Sequence, residues 1–148
     1  MSKFIFSTFF CIAILILSAS DIFACTCMHL VKPVEGAYKQ NSAIFSGKVI
    51  SIKKTGNFWN TVKIRVGKSW KGNLSKTITI STASAGSMCG YKFVTGKSFL
   101  IYANGNDPNE LAVSLCSRTA LLSESKEDVE TLNDLLMKND SKIKSSPK

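Results

Sequence analysis

The tripeptide Cys25-Thr26-Cys27 constrains this chain more than any other feature. A disulfide needs its two Cα atoms several ångströms apart with converging Cβ vectors, so cysteines one residue apart do not readily bridge each other. Each must reach a distant partner, and beyond Cys27 the chain offers Cys89 and Cys116. Two such bridges would pin a short segment at both its first and third residue, closing loops worth about 4 kcal/mol each in the chain-entropy model. The first residues of a domain are ordinarily loose. Stapling them so closely suggests that their position matters.

The same tripeptide lies at a processing signal. Residues 1–24 carry one early charge, Lys3, an apolar run from about Phe4 to Leu17, and small residues before Ala24. This is the layout of a secretory signal peptide, and its apolar core falls short of the roughly 20 residues that span a bilayer. Cleavage after Ala24 would make Cys25 the first residue and remove Cys11, leaving four cysteines, an even number that suits disulfides in an oxidising compartment. The expected location is therefore secreted or periplasmic, with no transmembrane anchor. Lys3 and Asp21 leave together, so the mature chain keeps the formal net charge of +9 and favours acidic partners.

From Ala43 onward the pattern is β. AIFSGKVISI, WNTVKIRV, TITIST, KSFLIYA and ELAVSL are rich in β-branched and aromatic residues and predict five short strands. Thr55-Gly56-Asn57, Lys71-Gly72-Asn73 and Asn104-Gly105-Asn106-Asp107-Pro108 supply turn chemistry between them. In WNTVKIRV, alternation places Trp59, Thr61, Lys63 and Arg65 on a wet face and Asn60, Val62, Ile64 and Val66 on a core face. A single sheet of such strands exposes its edges, so the expected fold is a mostly β, five-stranded OB-like Greek-key barrel with flanking helices. Val129, Leu132, Leu135 and Leu136 recur at helical spacing behind an acidic first turn, predicting an amphipathic helix over about 125–138 with Ser125 as N-cap. Pro33 to Gln40 predicts one or two further helical turns, with Pro33 at the first helical position. Residues 25–138 form the expected single domain, and the polar, lysine-rich 139–148 read as a disordered tail.

The CTC start, SAIFSGKVISI, the KSWKG turn, MCGYKFVTGKSFLIYA and SLCSRT together resemble the tissue inhibitors of metalloproteinases and the wider netrin-type module. The resemblance spans Cys25 to about Leu122 and implies an OB-type barrel. It also implies disulfides of Cys25 with Cys89 and of Cys27 with Cys116. The vertebrate inhibitors carry a third disulfide in this domain and a second cysteine-rich domain, which places this chain with shortened, bacterial relatives.

In the resembled family the α-amino group and backbone carbonyl of the first cysteine chelate the catalytic zinc of a metalloproteinase. Those atoms belong here to Cys25. Thr26 would enter the primed-side specificity pocket, while Cys27 and Met28 would lie along the substrate groove. The implied partner is a zinc metalloproteinase that supplies the metal. The chain itself is expected to need no cofactor, to act as a monomer, and to bind no nucleic acid. A lone histidine, His29, and no nucleophile elbow leave little for catalysis, so the chain is not read as an enzyme.

Three alternatives compete with that reading. Cys25, Cys27 and His29 form a CxCxH set that could ligate zinc or copper. Ile22-Phe23-Ala24-Cys25 loosely resembles a bacterial lipobox, in which Cys25 is lipidated. Finally, a netrin-type binding module for a protein or acidic glycan would use Lys68, Lys71, Lys92 and Lys97 near Trp70, Tyr91 and Phe93.

Overall fold

The computed structural model describes Cys25, Cys27, residues 33–107 and residues 110–144. The expected signal peptide lies outside the described residues, as do Thr26, Met28 and His29. Helix α1 (Val34–Gln40) leads into strands β1 (Ala43–Thr55), β2 (Trp59–Lys71) and β3 (Thr77–Ala83). A 3-10 turn at Gly86–Met88 follows, then β4 (Ser98–Ala103), β5 (Ala120–Leu121), a second 3-10 turn at Leu122–Glu124, and helix α2 (Lys126–Lys144). The protein is mostly β. One five-stranded antiparallel sheet runs in the order β3-β2-β1-β4-β5, accompanied by two helices and two disulfides.

Alternation in β2 falls as its sequence predicts. Val62 and Ile64 are buried, while Trp59, Lys63 and Arg65 are exposed. Register shifts break the β1–β2 ladder at three places. Gly47 sits at one of them, where an added Cβ would overlap Ile64 Cγ2 and meet Arg65 O at 2.9 Å, so only glycine permits that approach.

β1 and β4 are covered on both sides. Phe45, Val49, Phe99 and Ile101 join Val62, Ile64 and Ile80 in one core. Ile44, Leu100, Tyr102 and Trp70 turn the other way and pack with Val34, Ala37 and Leu132 from the two helices. That double burial explains why FLIYA is an unbroken apolar run rather than an alternating one. Pro33 precedes the first helical residue rather than occupying it, and Ala37 N–H donates to Pro33 O at 3.0 Å. The helix ends where Asn41 turns extended and donates from both its backbone and Nδ2 to Ala37 O.

Two features differ from expectation. ELAVSL is not a strand of the sheet; the fifth strand is Ala120–Leu121, paired with Phe99 and Leu100. Leu111 and Val113 are buried, so their alternation reports burial, but the segment pairs only through isolated bridges. Ala112 bridges Ser81 in parallel and Asn104 antiparallel, and Ser114 bridges Gly90. The sheet is therefore not closed by a continuous ladder. Helix α2 also runs past Lys138 to Lys144, because no proline or glycine interrupts 139–144.

Helix α2 is anchored by a polar cluster. Asp128 accepts from Arg118 Nη2 at 2.7 Å and from the Tyr102 hydroxyl at 3.0 Å, with Arg118 Nε completing a fork. Burial, reinforced by the Asp128 carboxylate, pushes the Tyr102 hydroxyl well above the ordinary tyrosine range; the Arg118 charge opposes the rise. The folded state therefore binds this proton more tightly than the unfolded chain does. Stability from Tyr102 is fully present below about pH 10, where an unfolded tyrosine ionises, and is lost above it at up to about 1.4 kcal/mol per pH unit. Urea midpoints measured from pH 8.5 to 11 should fall more steeply for the native protein than for Tyr102→Phe. Equal slopes would show that Tyr102 does not govern the alkaline limit.

Candidate functional site

Two loops receive the cystines. The first leaves β3 at Ala83 and makes the 3-10 turn Gly86–Met88, with Met88 N–H donating to Ala85 O at 3.1 Å and Cys89 N–H to Gly86 O at 3.0 Å. Cys89 then adopts φ 59°, the only left-handed non-glycine residue among those described. Such a conformation persists only where surrounding contacts enforce it. Gly90 supplies part of that enforcement: its N–H donates to Ala85 O at 3.0 Å, and an added Cβ would overlap Ala83 O. Tyr91 N–H donates to the buried Thr82 hydroxyl at 2.8 Å and ties the exit of the loop to β3.

The second loop carries Cys116. Leu115 N–H donates to Cys89 O at 2.7 Å, and Ser114 bridges Gly90, so the two cystine loops form one platform. Cys25 is bonded to Cys89 across a Cα separation of 5.5 Å, and Cys27 to Cys116 across 5.4 Å. This is the pairing that the family resemblance implies. The two cysteines of the CTC segment are thereby held beside each other on adjoining loops.

A groove of about 610 Å³ opens at this platform, lined by Cys27, Cys89 and Cys116 together with Trp59, Met88 and Leu115. Those last three are 52%, 39% and 45% exposed, an apolar rim around the cystines. Isolated exposed apolar residues are ordinary, but several converging on one groove mark a surface that meets something. Trp59 arrives from the start of β2, paired with Ala83, while Phe58 beside it is 62% exposed. Asn41, Asn104 and Arg118 line the polar side of the groove.

Of the residues that the sequence nominates, Cys25 and Cys27 are brought to this platform, and Thr26 and Met28 lie outside the described residues. Trp59, Met88 and Leu115 were not nominated. Trp59 carried a signal, since a tryptophan on the wet face of an alternating strand has no core to fill. Met88 and Leu115 flank Cys89 and Cys116 in sequence, but nothing in the sequence shows that the two loops join.

The alternatives fare differently. The CxCxH set loses its thiolates, because both sulfurs are in disulfides. A lipid thioether on Cys25 and the Cys25–Cys89 bond exclude each other. Of the lysine-aromatic set, Lys68 Nζ lies 5.3 Å from the Trp70 ring centroid and Tyr91 packs on Phe93, but Trp70 and Phe93 are buried, Lys68 Nζ donates to Asn133 Oδ1 at 2.6 Å, and Lys71 Nζ donates to Tyr38 O at 2.7 Å. Among the described residues no helix is long and apolar enough to cross a membrane. The two disulfides fit an oxidising compartment. No protein-family model and no curated protein matches this chain.

Proposed function

We propose that this protein, exported and processed so that Cys25 becomes its first residue, inhibits a zinc metalloproteinase through that terminus. One observation carries the reading: Cys25 and Cys27 are stapled side by side on a platform rimmed by exposed Trp59, Met88 and Leu115. A catalytic zinc with three protein ligands keeps one position open for water or substrate. The Cys25 α-amine and carbonyl form a rigid bidentate N,O donor for that position, while the sulfur stays in its disulfide.

An unperturbed α-amine titrates at about 7.7 to 8.0, so zinc has only to displace a weakly held proton near neutrality. Thr26 fills the pocket beside the metal, and Cys27 and Met28 follow the groove as a product-like segment with no peptide bond ahead of Cys25 to cleave. Tethering Cys25 and Cys27 in advance spares part of the ordering cost that a loose terminus incurs on binding. The apolar rim supplies the contact area around it.

An OB-like course for the sheet accords with this reading. It is supported by the β1-β2-β3 meander, by β1 lying between β2 and β4, and by Ala112 reaching both Ser81 and Asn104.

The test begins with the intact mass and first residues of the exported protein. A chain starting at Cys25, with a free amine and four hydrogens lost to two disulfides, should inhibit a zinc protease in a screen and lose that inhibition when the α-amine is acetylated. Inhibition that survives acetylation, or a lipid on Cys25, would overturn the chelation mechanism.

A further inference from the structure

Between Glu35 and Asp107 the chain contains no aspartate or glutamate, although lysines recur throughout that stretch and Arg65 lies within it. Strands β1 to β4 all fall inside it. Of the acidic residues that follow, Asp107 and Glu110 lie after β4, and the rest gather on and before α2, at Glu124, Glu127, Asp128, Glu130, Asp134 and Asp140. Charge is thus segregated by element, and the sheet has the positive share.

Strand register turns this segregation into a pattern. Val62 and Ile64 face the core, so Thr61, Lys63 and Arg65 face outward. Arg65 stands opposite Lys48 on β1 and Thr77 on β3; Lys63 stands opposite Ser51 and Thr79; Thr61 stands opposite Lys53 and Ser81. Three successive rows of cations and hydroxyls therefore cross the sheet, repeating about every 7 Å along a strand. No carboxylate interrupts them.

The Lys48–Arg65 row is unfavourable as it stands. Like charges directly opposite each other in an antiparallel pair destabilise the sheet, and Lys48 and Arg65 are so placed. Among the described residues neither their side chains nor those of Lys53 and Lys63 make a hydrogen bond or ion pair, whereas Arg118 is paired with Asp128. Lys68 and Lys71, by contrast, are committed to α2 and α1. Beside the Lys48–Arg65 pair lies a depression of about 280 Å³, lined also by Ile50, Thr95 and Gly96.

We infer that the outer face of β1, β2 and β3 binds an acidic polysaccharide, with Lys48 and Arg65 clasping one sulfate or carboxylate at the depression while Lys63 and Lys53 meet the next ones. The hydroxyls of Thr77 and Thr79 stand beside Arg65 and Lys63 on β3 to bond sugar oxygens, while that of Thr61 meets Thr55 Oγ1 at 2.6 Å. An anionic bilayer would call for several apolar side chains projecting among these rows, and Ile50, exposed at the depression, stands among lysines, an arginine, serines and threonines. Single-stranded nucleic acid would call for aromatic platforms, and the aromatic residue of this face, Trp59, stands at its end beside the cystine groove. The surface is separate from the Cys25 terminus, so it stands whether or not the protein inhibits a protease.

Binding of the disulfide-bonded protein to dextran sulfate and polygalacturonate tests it, with neutral dextran, phosphatidylglycerol vesicles and oligo-dT as comparisons. The variant Lys48→Gln, Lys63→Gln, Arg65→Gln should bind dextran sulfate at least about tenfold more weakly, with a salt slope shallower by about two to three. A charge-matched variant on the helices, Lys39→Gln, Lys126→Gln, Lys138→Gln, should lose less than about twofold, since exposed charges beyond a Debye length are screened. Equal losses in the two variants would reduce the effect to net charge and overturn the site. Tighter binding to the vesicles or to oligo-dT than to either polysaccharide would overturn the assignment of the ligand. The face variant removes a like-charge pair, so its urea midpoint should not fall; if it does, Arg65→Gln alone must still weaken binding more than Lys126→Gln for the proposal to survive.

Discussion

One alanine added ahead of Cys25 should abolish inhibition of any zinc protease that the mature protein inhibits. The expected loss is at least about 100-fold, equivalent to about 2.7 kcal/mol of binding free energy. The added residue converts the Cys25 amine into an amide, whose nitrogen has no lone pair to offer a metal, and places a carbonyl where the terminus had ended. Cys25 cannot retreat to make room. Its sulfur is bonded to Cys89, which sits in a left-handed conformation held by Gly86, Gly90 and the Leu115 N–H. The alanine itself extends from a half-buried residue at the edge of the fold, so the stability read from urea unfolding should move by less than about 0.5 kcal/mol. Unchanged potency in a stably folded variant would refute chelation by the terminus.

The parts of this structure that were legible in the sequence share a physical property: they are fixed by local chemistry. Alternation in WNTVKIRV, the Thr55-Gly56-Asn57 turn and the acidic start of α2 each follow from residues within a few positions of one another. The strands 43–52, 59–66, 77–82 and 97–103 were legible for that reason, and β1 and β2 merely run further than their patterns required. ELAVSL was misread because alternating burial and strand pairing leave the same trace in a sequence. Leu111 and Val113 bury as a strand would, yet the backbone around Ala112 makes only single bridges to Ser81 and Asn104. The true fifth strand, Ala120–Leu121, is two residues long and has no period to detect.

The site divides along the same line. CTC at a cleavage signal marks its own importance, because the oddity lies within three residues. The platform beneath it was not legible: it depends on a bond from Leu115 N–H to Cys89 O, between loops far apart in sequence, and on Gly90 being the residue that Ala83 O tolerates. The basic face was visible only as dispersed lysines until strand register set Lys48 against Arg65.

Removing the disulfides one at a time separates their structural role from their positional one. Cys25–Cys89 and Cys27–Cys116 span sequence separations of 64 and 89 residues. Chain entropy grows only with the logarithm of loop length, so each removal should cost about 4 to 5 kcal/mol, with the two differing by about 0.3 kcal/mol. Cys27→Ser with Cys116→Ser and Cys25→Ser with Cys89→Ser should therefore unfold at nearly the same urea concentration, both well below the native protein. Inhibition should not follow stability. Without the Cys27–Cys116 bond the terminus remains tethered to the platform through Cys25, and potency should fall by about tenfold, the cost of ordering a few freed residues on binding. Without the Cys25–Cys89 bond the chelating residue itself is loose. The serine introduced at the terminus would still offer an amine and a carbonyl, but potency should fall by about 1,000-fold or more because several backbone torsions must be fixed at once. Assays run at a temperature where both variants are folded would compare the two losses directly. Equal losses would mean that the cystines act only by stabilising the domain, and the exact seating of Cys25 would then have no part in inhibition.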